Sequence, residues 1–252
     1  MTADRFRTKI MGGHIFRVKL SSFRIIIAGF LGIIIVGSLL LMLPISSSAG
    51  QWTPFGRALF SATSAVCVTG LVIHDTALYW SGFGQAVILI LIQIGGLGVI
   101  SVAAFIATVS GRRISLFQRS ILQDSFSAHQ IGGVVKMNRF IFKFAFGAEA
   151  AGALLMMPVF CREYGASGIW KAVFHSISAF CNAGFDIMGD RTGAFSSLTG
   201  FSSRPGIVIP ICLLIVFGGL VSSRGMISSV TAGASRSSAC RARSYWRRRW
   251  SL

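Results

Sequence analysis

Four long apolar runs, broken by clusters of arginine and lysine, restrict this chain to one solvent for most of its surface, the interior of a lipid bilayer. The runs cover residues 23–43, 83–109, 140–160 and 205–220. Each approaches the length of about 20 helical residues needed to cross a hydrocarbon core about 30 Å thick. In hydrocarbon a lone segment satisfies its own N–H and C=O groups only as a helix. Charged residues make up 12% of the chain, half of the roughly 25% usual in soluble domains. The expectation is an all-α membrane protein with about four spanning helices. The first run follows Arg5, Arg7, Lys9, Arg17, Lys19 and Arg24 and continues to Pro44 without a small-x-small cleavage pattern. It therefore reads as a retained helix and not as a secretory signal.

A formal charge of +17 would point to nucleic acid in a soluble protein. Its placement gives it another meaning here, and no nucleic-acid partner is expected. Lysine and arginine concentrate in the cytoplasmic connections of membrane proteins. The N-terminal arm is basic, as is the stretch holding Arg112, Arg113, Arg119, Lys136, Arg139 and Lys143. Segments 45–81 and 161–204 are less basic and carry Asp75, Glu163, Asp186 and Asp190. The N-terminus is thus expected inside, with those two segments outside. Arg224, Arg236, Arg241, Arg243, Arg247, Arg248 and Arg249 belong to a Ser/Arg/Trp-rich end without an acid, which raises the charge without informing the apolar part.

Several chemistries are excluded. Cys67, Cys161, Cys181, Cys212 and Cys240 form no C-x-x-C pair, so neither a zinc site nor a disulfide framework is indicated. His14, His74, His129 and His175 lie in separate segments without triad or metal spacing, and no P-loop or dinucleotide fingerprint occurs. No enzyme and no cofactor are expected. Glu149, alone in the third run, is costly in lipid unless it meets a partner or water. A protonated or interhelical hydrogen-bonding residue is the expected reading, with a place on an ion path as the alternative.

Residues 60–71 lie over 174–185 without a gap, at a constant offset of 114. Phe60, Ser64, Ala65, Cys67 and Gly70 recur as Phe174, Ser178, Ala179, Cys181 and Gly184, and upstream Arg57 and Ala58 match Lys171 and Ala172. Copies of one sequence pattern adopt one local structure. Each copy reads as a short helix followed by a glycine-containing turn, with Thr53-Pro54 and Ser167 as the helix starts. Residues 54–66, as a helix of about 20 Å, are too short to cross. A re-entrant segment that stops midway and returns as extended chain is expected. Irregular backbone at that depth is tolerated only against protein or water, so the turns are expected to aim carbonyls at a hydrated path. Another echo joins Gly95, Gly96 and Gly98 to Gly218 and Gly219, where small residues let helices pack closely or bend.

The strings SATSAVCVTGL (61–71), LIQIGGLG (91–98), GRRISL (111–116) and FHSISAFCNAGF (174–185) together resemble the membrane subunit of Ktr/Trk-type potassium transporters, most of all the Ktr type. The likeness covers about residues 23–220. It implies repeated helix–re-entrant pore helix/loop–helix units of potassium-channel-like plan, four to a subunit, each giving one filter glycine. Those glycines would be Gly70 and Gly184, with filter backbone from Val66, Cys67, Val68, Thr69, Phe180, Cys181, Asn182 and Ala183. Transported potassium, sodium as a coupling ion in some members, a homodimer in the bacterial cell membrane and a cytoplasmic nucleotide-binding regulatory subunit are implied with it.

The expected organisation is a basic cytoplasmic arm (1–22), a first unit (23–111), a cytoplasmic connection (112–139), an incomplete second unit (140–220) and an atypical basic tail (221–252). The tail is compatible with a frameshifted reading frame or a disordered arm. Truncation after two of four units leaves two alternatives open: a sodium-translocating relative, and a fragment that inserts without conducting.

Overall fold

The computed structural model describes residues 22–110, 121–122 and 134–221. The N-terminal arm, most of the 112–139 connection and nearly all of the tail lie outside the described residues. All regular elements among the described residues are helical, and one isolated antiparallel bridge joins Ser47 to Trp80.

Helix α1 spans Ser22–Met42. It stops because Pro44 lacks an N–H and forces Leu43 into extended backbone, φ −62° and ψ 144°. A 3-10 turn, Pro44–Ser46, follows, and the Ser46 hydroxyl donates to the Leu40 carbonyl at 2.6 Å, satisfying part of the open helix end. Helix α2 is Phe55–Val66, α3 is Gly82–Leu97 and α4 is Val99–Val109. Helix α5 is Val134–Tyr164, α6 is Ser167–Phe180 and α7 is Pro205–Val221.

Arg24–Met42 and Met137–Tyr164 are long and apolar enough to cross a membrane. The run expected as one span over 83–109 is instead broken: α3 and α4 meet at 97°. The break falls at Gly98, whose φ of +83° lies in the region that favours glycine. The pair counts as a third span if taken together. Beyond the break α4 lies along the start of α5. There the Asn138 side chain donates to the Ser101 carbonyl at 3.0 Å and the Phe105 and Phe142 rings stack 4.2 Å apart. The described part of helix α5 accordingly reaches back to Val134, inside the segment expected as connection.

The two short helices are the buried ones. Ala58, Ala62 and Ala65 of α2 are fully buried, and Ser61 and Ser64 nearly so, against α1 and α3. In α6, Lys171, Phe174, His175, Ser176 and Ser178 are buried, mostly against α5. Small side chains let these helices sit close to their neighbours. By contrast Ile27, Leu31, Ile35 and Leu39, four residues apart along α1, form an exposed apolar stripe suited to lipid. The expected caps are differently employed. Thr53 pairs its hydroxyl with that of Tyr79 at 3.1 Å, leaving Pro54 at the cap, and the Ser167 hydroxyl donates to the Tyr164 carbonyl of the preceding helix. Each hydroxyl found a nearer partner than the N–H groups of its own first turn.

The loops after α2 and α6 are tied together by Asp75. One carboxylate oxygen caps the turn Thr76–Tyr79, accepting from the Ala77 and Leu78 amides at 2.9 Å each. The other accepts from the Phe195 amide at 2.8 Å. Asp75 itself is buried, and the three amides are part-buried, so each lost bond costs on the order of 1 kcal/mol. Asp75→Ala is therefore expected to lower the thermal unfolding midpoint in detergent clearly, and Asp75→Asn, which keeps one amide oxygen as acceptor, to lower it less.

Candidate ion path

Helices α2 and α6 end in the same turn. After Val66 and Phe180, Cys67 and Cys181 keep right-handed helical angles. Val68 and Asn182 then both take φ +57°, and Gly70 and Gly184 take +71° and +72°. The hydrogen bonds agree as well. The Cys67 amide donates to the Thr63 carbonyl at 2.8 Å and Cys181 to Ile177 at 2.9 Å. Val68 donates to Ala65 at 3.3 Å and Asn182 to Ala179 at 3.0 Å, while Thr69 donates to Ser64 at 3.0 Å and Ala183 to Ser178 at 2.8 Å. Every partner is displaced by the same 114 residues.

Asparagine visits positive φ readily, but for a β-branched valine it is an outlier. Such strained backbone persists only where its surroundings over-determine it, and it gathers at functional sites.

These bonds consume N–H groups and leave oxygens free. Among the described residues, no hydrogen bond ends on a carbonyl of residues 67–70 or 181–184. A main-chain carbonyl without a donor in the protein must face water or a cation. Cys67, Thr69, Asn182 and Gly184 are exposed. The turns also touch. A Cβ built on Gly70 would lie 2.6 Å from the Ala183 carbonyl oxygen and 3.4 Å from the Gly184 Cα. No cluster of acidic, histidine or cysteine side chains that could hold a metal occurs among the described residues. A cation between the turns would meet main-chain oxygen.

Of the ten residues singled out in the sequence, Val66 and Phe180 close their helices, and the other eight form the two turns. A methyl group on Gly95 would overlap the Val66 carbonyl, and one on Gly218 the Phe180 carbonyl. The recurring glycines thus seat the ends of α2 and α6 against the helix that follows.

Ser64 and Ser178 are aligned in the sequence, and the structure gives both a structural contact there. The Ser64 hydroxyl bonds to that of Thr69 at 2.9 Å, and Ser178 donates to the Phe185 carbonyl at 2.7 Å. Each staples its turn to its own helix. Lys171 does the same further along, donating to the Ile187 carbonyl at 2.6 Å and pairing with Asp190 at 2.9 Å. Its aligned counterpart Arg57 is exposed. Asp186, just past the second turn, is pushed above the usual carboxylate range by burial, with the Asp75 charge adding to it.

Residues 16–223 match the TrkH family, described as cation transport protein. The chain is 40% identical over 205 residues to the potassium/sodium uptake protein NtpJ of Enterococcus hirae, covering 81% of this chain and 44% of that one. It is 37% identical over 205 residues to the Ktr system potassium uptake protein B of Bacillus subtilis, with the same two shares. Its identity to the protein of that name from Vibrio alginolyticus is 35% over 198 residues, 78% of this chain and 42% of the other. The chain thus spans less than half the length of these relatives.

Adjacent glycines give a direct check of the seating contacts. Gly218→Ala drives a methyl into the Phe180 carbonyl, whereas among the described residues a Cβ at Gly219 meets nothing within 4 Å. Overpacking costs typically about 1–3 kcal/mol. Gly218→Ala is expected to destabilise the protein by that order in detergent unfolding, and Gly219→Ala to leave it unchanged or slightly more stable.

Proposed function

Because this chain belongs to the TrkH family of cation transport proteins, which are not enzymes, we propose that it forms part of the translocating subunit of a Ktr/Trk-type potassium uptake system. In this reading α2 and α6 are pore helices that enter the membrane from outside and stop midway. The turns at residues 66–70 and 180–184 are two segments of one selectivity filter. Carbonyl oxygens replace the water shell of the ion, and the glycines let the two backbones approach each other. The observation that carries the reading is the pair of matching turns whose carbonyls accept no hydrogen bond among the described residues.

The basic arm and the basic 112–139 connection would face the cytoplasm of a bacterial cell, where a nucleotide-binding regulatory subunit docks. A homodimer is expected by likeness to the Ktr type. By likeness to the Ktr type the filter of the whole transporter has four such segments, and these turns would be two of them. The name of the Enterococcus hirae relative includes sodium, which favours sodium as a coupling ion or a sodium-translocating relative as the second reading.

Native Cys67 is exposed on the first turn and serves as a probe. A membrane-impermeant thiol reagent applied from outside is expected to modify Cys67 and an Asn182→Cys variant, and potassium is expected to slow both reactions. Two sites sealed from the reagent and indifferent to potassium would sink this reading.

A further inference from the structure

Glu149 stands inside α5 and is 5% exposed. Among the described residues the ion pairs are Lys171–Asp190 and Arg204–Glu163, and neither involves it. Its carboxyl Oε1 accepts from Gln93 Nε2 of α3 at 2.8 Å. The other end of the same amide, Gln93 Oε1, accepts from the Cys181 thiol at 3.7 Å. The Glu149 main-chain carbonyl accepts from the Ser176 hydroxyl of α6 at 2.6 Å. Helices α3, α5 and α6 and the second turn are thereby joined by one continuous relay. Behind the thiol stands Gly96, where a Cβ would lie 2.6 Å from Sγ, so Cys181 is held between two residues of α3.

Among the described residues the first turn has no such support. Ile35 occupies the place of Glu149 at the 114-residue spacing and is half exposed on the lipid-suited stripe, and Cys67 is exposed where Cys181 is buried. The seating glycines Gly95 and Gly218 align Gln93 with Val216, which is apolar and exposed. A buried carboxyl in an apolar helix is expensive, and the shared fold does not require it. Its single side-chain partner leads directly to the residue before the left-handed Asn182.

We infer that Glu149 and Gln93 are positioning residues that hold the second turn in place through the Cys181 thiol. Resting on the transport reading, they thereby set the spacing between the turns on which discrimination between potassium and sodium depends. Neither touches the ion. They act on the carbonyls of residues 181–183 by fixing the side chain at the head of the turn.

The test uses the whole chain in membrane vesicles, with an impermeant methanethiosulfonate reagent and peptide mass spectrometry to follow Cys181 and Cys67 separately. In the unaltered protein Cys67 reacts and Cys181 is protected. Losing one buried hydrogen bond raises the open population by about tenfold. Glu149→Leu and Gln93→Leu are expected to raise the Cys181 rate by that order with Cys67 unchanged. Glu149→Gln, which still accepts from Gln93, stays at the unaltered rate. Cys181 equally protected in Glu149→Leu overturns the inference, and so does an equal rise at both cysteines, which marks general loosening. The second readout is the ratio of potassium to sodium concentrations that half-protect Cys67. It is expected to shift in Glu149→Leu and to return in Glu149→Gln; an unshifted ratio removes the role in discrimination. Should neither ion protect Cys67 in the unaltered protein, the transport reading falls, while Cys181 reactivity still decides the relay.

Discussion

A main-chain carbonyl removed from bulk water needs a donor, a water molecule or a cation, and the two turns after α2 and α6 leave theirs without a donor among the described residues. Much of the architecture follows from making that arrangement possible. The amides of the same turns are bonded back to the last turn of their own helix, so the chain is fixed while the oxygens stay free. Positive φ at residues 68, 70, 182 and 184 reverses the chain within four residues. For Val68 this is costly, and the surrounding hydrogen bonds and the Ser64–Thr69 staple hold it there.

Association in lipid gains little from the hydrophobic effect, because the alternative environment is as apolar as the helix surface. Close packing and polar pairing must do more. The glycines of α3 and α7 allow the end of each short helix to lie directly on the next one, carbonyl against Cα. The alanines of α2 serve the same purpose on its other sides. Large apolar side chains, in contrast, are spent on the exposed stripe of α1, a surface suited to lipid.

The two halves of the chain share one apolar core and are also cross-linked by polar contacts. Asp75 reaches the Phe195 amide, Trp170 donates to Gln85 at 2.8 Å, and Gln93 donates to Glu149. Each joins a residue of the first half to one more than 50 positions further along, and each is directional. Such directional contacts fix the distance between the turns more tightly than sliding apolar faces would. The asymmetry between the turns, one supported from behind by a buried relay and one open, is built from these cross-links.

The sequence by itself determined the membrane class, the short helices and the place of both turns. Hydropathy, the 114-residue match and the glycines are properties of local chemistry, and local chemistry dictates backbone. It also foretold an interhelical partner for Glu149 without naming it. Tertiary structure alone decided the rest. The 97° break at Gly98 was invisible because an apolar run keeps its hydropathy whether or not it bends. Thr53 and Ser167 looked like caps, but a hydroxyl bonds to whichever partner the fold brings nearest. The apposition of Gly70 with Ala183 and Gly184, and the path from Glu149 to Cys181, join residues from different helices. Only packing in three dimensions could bring them together.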